Sequence, residues 1–183
     1  MRADDIELWQ FSAAKAAEIL AWSERQFSNW TKRYEPFPQK NRGRGYSISY
    51  SLSDLLKLDA IGGLVELGLA PEKAFEALAP YGSPYGSLLH NGFLLGKYPG
   101  TMTLTLTAAG RFVGLDGPNH THAIEIRAWP IFDKIFPRIK NAILEDPGRA
   151  KLADVKKAIA EYAARIEEVR KRHWEQQDEG TEI

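Results

Sequence analysis

Cysteine is absent from the 183 residues, which excludes disulfides, thiolate-bound zinc and thiol catalysis, and suits a reducing compartment. No apolar run approaches the ~20 residues of a membrane-spanning helix. The opening MRADDIELWQ lacks the apolar stretch of a secretory signal. The chain is therefore expected to be soluble and cytoplasmic, with no membrane partner. Net charge is missing too, since 24 Lys and Arg balance 24 Asp and Glu. Catalytic signatures are likewise absent: no nucleophile elbow, Walker sequence, H-E-x-x-H or glycine-rich dinucleotide turn occurs. No enzyme, and no cofactor, is expected.

What is present is an ordinary globular composition, 44% hydrophobic and 26% charged, with an uneven distribution of charge. Arg25, Lys32, Arg33, Lys40, Arg42 and Arg44 crowd one segment, opposed there only by Glu24 and Glu35, whereas the tail carries Glu175, Asp178, Glu179 and Glu182. A basic patch on a neutral protein is the footprint of a phosphate-binding surface.

That segment has helix-turn-helix punctuation. Ser12 is placed to N-cap a helix whose Ala13, Ala16, Ala17, Ile19 and Leu20 form a small apolar face. Trp22 closes a turn, and Ser23 with Gln26 three residues on opens a second helix. In it Phe27 and Trp30 point to the core, leaving Arg25, Gln26, Ser28, Asn29, Lys32 and Arg33 outward. These side chains bond phosphates and base edges. The alternative is a merely solvated polar face. Pro36 and Pro38 end the helix. A basic glycine-containing loop with Lys40, Arg42 and Arg44 leads to the alternating strand Tyr46–Tyr50, the composition of a wing. Ser53 is expected to cap a third helix from Asp54, with Leu55, Leu58, Ile61, Leu64 and Val65 as its stripe and Gly68 at its end. Pro71 opens a short fourth helix to Leu78.

From Phe11 to about Leu78 the chain resembles the DNA-binding domain of the MerR family of transcription regulators. The resemblance rests on Phe11-Ser12 with Ala16-Ala17, on Phe27 three before Trp30, on Tyr50-Ser51-Leu52-Ser53-Asp54-Leu55 after the wing, and on Leu67-Gly68-Leu69 before the fourth helix. It implies a winged helix-turn-helix that binds double-stranded DNA, with Ser12 and Tyr50 joining the basic and polar residues above at the interface. The sequence departs from the pattern twice. Ala21 stands where the family usually carries Gly, and Ile48 stands where the wing strand usually carries Arg. The excisionase-like branch of the winged fold, also DNA-binding, is a neighbouring reading.

Beyond the resemblance, Thr101–Thr107 alternates with period two, and Arg111–Leu115 and Ala123–Arg127 are its expected partners in a small antiparallel sheet. Trp129-Pro130 opens a helix with Ile131, Phe132, Ile135, Phe136, Ile139 and Ile143 inward. After Asp146-Pro147-Gly148, residues Leu152, Val155, Ile159, Tyr162, Ile166 and Val169 recur at three and four, reading as a coiled-coil seam or as an amphipathic helix on its own domain. The resemblance implies that such a helix pairs with its copy to make a homodimer.

The expected architecture is mainly α with a small antiparallel β part: a winged helix-turn-helix domain over 8–80, a middle region over 81–146 and a dimerisation helix over 147–178. His120 and His122 flank Thr121, too few ligands for a structural zinc site, and no metal is expected. His90 and His173 have no ligand partners. The function implied is a dimeric transcription regulator on a palindromic operator. The alternatives are a sensor with a small-molecule effector in the middle region around Trp129, Phe132 and Phe136, or a protein-interaction module on a winged scaffold.

Overall fold

The computed structural model describes residues 1–37, 47–78, 101–106, 112–114 and 123–179, with Asp4 and residues 101–106, 112–114, 123–129 and 172–179 as backbone only. The wing-loop residues Lys40, Arg42 and Arg44 and the histidines His90, His120 and His122 lie outside the described residues.

The described chain is mostly helical. A 3-10 turn, Ala3–Ile6, precedes α1 (Ala13–Leu20), α2 (Glu24–Tyr34), α3 (Leu52–Glu66) and α4 (Pro71–Leu78); α5 (Ala128–Glu145) and α6 (Leu152–Glu179) close it. Between α4 and α5 the backbone of Thr101–Leu106 pairs antiparallel with Phe112–Gly114 on one side and Ala123–Arg127 on the other. The side chains expected to line the two faces of that sheet are outside the described residues.

The helix starts follow from short polar side chains meeting free backbone N–H groups. Ser12 accepts from Lys15 N–H and Ser23 from Gln26 N–H. In α3 the cap is Ser51, not Ser53, and the helix starts at Leu52. Asp54 lies three residues after Ser51 and returns the bond to the Ser51 N–H at 2.6 Å, completing a capping box that Ser53 has no partner to form.

α3 is buried on nearly every side, as a helix apolar all round must be. It contacts α1, α4 and α5. The buried charges within it are each met. Lys57, 1% exposed, donates to the Pro36 carbonyl at 3.2 Å, and Asp59 accepts from Lys134 of α5 at 2.7 Å. Arg138, also on α5, donates to the Ile19 carbonyl at 2.9 Å. It thereby supplies a cation to the last turn of α1, which has no basic residue of its own.

α6 turns most of its apolar stripe toward its own chain. Val155, Ile159, Tyr162 and Ile166 are buried in one cluster with residues of α5 and the 3-10 turn, and Val169 is buried too. Among the six only Leu152, 44% exposed, faces solvent. A spacing of three and four specifies that one face is covered, and it is silent on whose surface covers it.

Gly62 marks the tightest approach. A Cβ there would lie 2.9 Å from Trp22 Cζ2, whereas one on the adjacent Gly63 would meet nothing within 4 Å. Gly62→Ala is expected to lower stability by about 1–3 kcal/mol through overpacking. Gly63→Ala is expected to raise it by roughly 0.5–1 kcal/mol through helix propensity alone. Denaturant unfolding of the two variants beside the parent checks both signs.

Candidate nucleic-acid interface

α2 turns one face in and one face out. Phe27 is buried against the Tyr50 ring at 5.0 Å, edge to face, and Trp30 packs edge-on to Trp22 at 5.0 Å and to Phe75 of α4 at 6.0 Å. Opposite them Arg25, Asn29, Lys32 and Arg33 are exposed, with Gln26 and Ser28 half-buried beside them. Positions 25, 29, 32 and 33 share a face at helical spacing. The outward row is thus basic and amide-bearing, with donors suited to phosphates and base edges.

The angle of this helix is set by two left-handed residues. Ala21, at φ 58° and ψ 33°, ends α1, and Glu35, at φ 39° and ψ 59°, ends α2. Left-handed backbone is costly for a side chain bearing Cβ. It is tolerated at Ala21 because the turn is closed by Ala21 N–H to Glu18 O at 3.0 Å and Trp22 N–H to Ala17 O at 3.0 Å. This is the position where the resembled family usually has glycine.

Residues 47–50, expected to be a wing strand, form no strand beyond an isolated bridge from Tyr50 to Phe11; beside α2 they border a groove of about 640 Å³ lined also by Phe11, Ser12, Phe27, Ser28, Lys32 and Phe37. Ser12 thus combines capping of α1 with a place in that groove. Tyr50 also lines this groove. It is only 3% exposed, packed between Phe27 and Phe37, and its hydroxyl is bonded to Thr31 of α2. Burial raises its pKa above the usual phenol value. Its part is to hold the segment 47–50 to α2. Ile48 is likewise half-buried and packed on the core.

Lys57 escaped the sequence reading. Besides its bond to the Pro36 carbonyl, its ammonium stands 5.3 Å from the centre of the Phe37 ring. The Pro36-Phe37 step by which the chain leaves α2 is thereby pinned to α3. Burial lowers the lysine pKa to about 8, against the opposing effect of Asp54. The only signal in the sequence was a lysine inside an otherwise apolar helical run. Asp59 is a second such group: burial raises its pKa, with the Lys134 contact opposing.

A helix-turn-helix with a basic outward face on its second helix, followed by a capped core helix and a short fourth helix, is the arrangement that presents one helix to a nucleic-acid groove in helix-turn-helix proteins. Residues 11–79 match the family model described as MerR HTH family regulatory protein. Over this part the chain is similar to the helix-turn-helix domain of that family of regulatory proteins. Among the curated proteins compared, none matches the chain. Among the described residues no cluster of three metal-ligating side chains occurs, and no helix is long and apolar enough to cross a membrane.

Ala21→Gly is expected to stabilise the helix-turn-helix by about 0.5–1 kcal/mol, by relieving the left-handed alanine; the midpoint of chemical unfolding measures it. For Lys57, proton linkage fixes the sign of the pH dependence. The folded pKa lies below the unfolded 10.5, so between pH about 8 and 10.5 the unfolded chain holds more protons and stability from this group rises with pH. Lys57→Met should be the more stable protein near pH 7, by up to about 3 kcal/mol. Its advantage should shrink toward pH 10, as followed by melting at stepped pH.

Proposed function

We propose that the protein is a transcription regulator that inserts α2 into the major groove of double-stranded DNA. In this reading Arg25, Gln26, Ser28 and Asn29 lie nearest the bases, while Lys32, Arg33 and the wing-loop residues Lys40, Arg42 and Arg44 neutralise phosphates. The observation that carries it is the exposed row Arg25, Asn29, Lys32 and Arg33 on a helix whose opposite face is fixed by Phe27 and Trp30. Ser12 and Ser28, on the groove wall beside Lys32, are neutral donors of the kind that set register on a phosphate backbone. Two copies reading a palindrome complete the proposal. The domain division at about residues 80 and 146 and cytoplasmic residence belong to the same reading; a sensor with a small-molecule effector in the middle region is the alternative.

Electrophoretic mobility shifts over a range of salt test it. Removing one phosphate-neutralising cation makes the slope of log affinity against log salt shallower by about 1. The double variant Arg25→Ala, Arg33→Ala should therefore bind a mixed-sequence duplex more weakly and with a shallower slope. Lys157→Ala, on the exposed face of α6, should behave as the parent does. A double variant as tight and as salt-sensitive as the parent would show that α2 is not the reading helix.

A further inference from the structure

The segment ahead of α1 is held at two distant places. At its start the 3-10 turn lies against α6, with Ile6 fully buried and the Tyr162 hydroxyl of α6 donating to Glu7 Oε1 at 3.0 Å. At its end Phe11 and Tyr50 exchange backbone hydrogen bonds, Phe11 N–H to Tyr50 O at 2.8 Å and Tyr50 N–H to Phe11 O at 2.9 Å. Ser49 adds a side-chain bond, its hydroxyl donating to Gln10 Oε1 at 2.9 Å. Between these anchors the Trp9 N–H donates to the Ile6 carbonyl at 3.3 Å, and the Trp9 ring is packed on the core. The connection is short and carries contacts along its length, leaving little slack between its two ends.

Its far end meets the part of the helix-turn-helix that matters for reading. Tyr50 lies on Phe27 of α2 and on Phe37, where the chain departs toward the wing. A shift of Phe11 therefore moves Tyr50 relative to the recognition helix. We infer that the segment 6–11 is a positioning strap: its seat on α6 fixes the segment 47–50, bridged at Tyr50 to Phe11, against α2, so the C-terminal helix sets the geometry of the chain beside α2. Ile6, Glu7 and Gln10 are its positioning residues. None of them lies on the outward face of α2. The inference rests on the DNA-binding reading for its functional consequence and on the contacts above for its mechanics.

The two parts are separable by experiment on the full chain. In Ile6→Ala, backbone amide exchange at Phe11 and Tyr50 should quicken by about tenfold, as local opening becomes easier, with amides of α2 unchanged. Affinity for a mixed-sequence duplex at low salt should fall several-fold while the salt slope stays that of the parent, because every phosphate-binding cation is still in place. Unchanged exchange at both amides in a variant that keeps its helical circular dichroism overturns the strap. So does parental DNA affinity alongside faster exchange. If Ile6→Ala loses its helical signal, Tyr162→Phe, which deletes the hydroxyl that meets Glu7, is judged on the same two readouts. If the parent itself binds no duplex at low salt, the DNA reading fails, and exchange at Phe11 and Tyr50 alone decides whether the strap holds the segment 47–50.

Discussion

The helix-turn-helix depends on the burial of α3. Between Leu52 and Leu64 only Ser53 and Gly63 are more than marginally exposed, so the helix needs cover on every side. α1 and α4 supply part of it, and the Trp22 ring lies over Gly62. The remainder comes from α5, beyond the helix-turn-helix itself. Removing a charge from water is expensive unless a partner replaces the solvent. That constraint places the Lys134 ammonium on Asp59 and the Pro36 carbonyl on Lys57. Both pairs join segments far apart in sequence, so satisfying α3 also fixes where α5 lies and where the chain leaves α2.

The C-terminal helices follow from this. α5 carries Phe132, Ile135, Ile139 and Ile143 into the same buried cluster as α1 and α3, and α6 adds Val155, Ile159, Tyr162 and Ile166. The surface ion pairs along this boundary, such as Lys15 with Glu145 at 3.0 Å, contribute little by themselves, since exposed pairs are worth at most about 1 kcal/mol. Apolar burial and the bond from Arg138 to the end of α1 are the stronger ties. An apolar stripe that reads as a partner-seeking seam is thereby covered within its own chain.

What was legible in the sequence was local. Ser12 and Ser23 as caps, Gly68 as a left-handed terminus at φ 99° and the inward face of α2 all follow from chemistry within four residues. The choice between Ser51 and Ser53 needed the reciprocal bond from Asp54, which spacing alone does not rank. The fates of Tyr50, Lys57 and α6 are set by contacts over long sequence separation, Phe11 with Tyr50, Pro36 with Lys57 and Glu7 with Tyr162. Periodicity carries no record of such partners. The departure at Ala21 was legible as an oddity; its left-handed backbone shows it to be a local cost carried by a closed turn rather than a different turn.

The departure at Ile48 bears on how the domain can work. An arginine there would tie the segment 47–50 to DNA only when DNA is present. Isoleucine instead packs on the core beside Tyr50, and Phe11 and Gln10 hold the same segment through backbone and side-chain bonds. The segment is therefore ordered by contacts internal to the protein. On the DNA-binding reading proposed above, order fixed before binding reduces the entropy that association must overcome, and it offsets some of the phosphate attraction that the missing arginine forgoes. A domain built this way depends less on counter-charge in this segment and more on the shape in which α2 and its neighbours are already held. That shape is anchored through Ile6 and Tyr162 on α6, so a change in the C-terminal helices has a direct mechanical route to the reading surface.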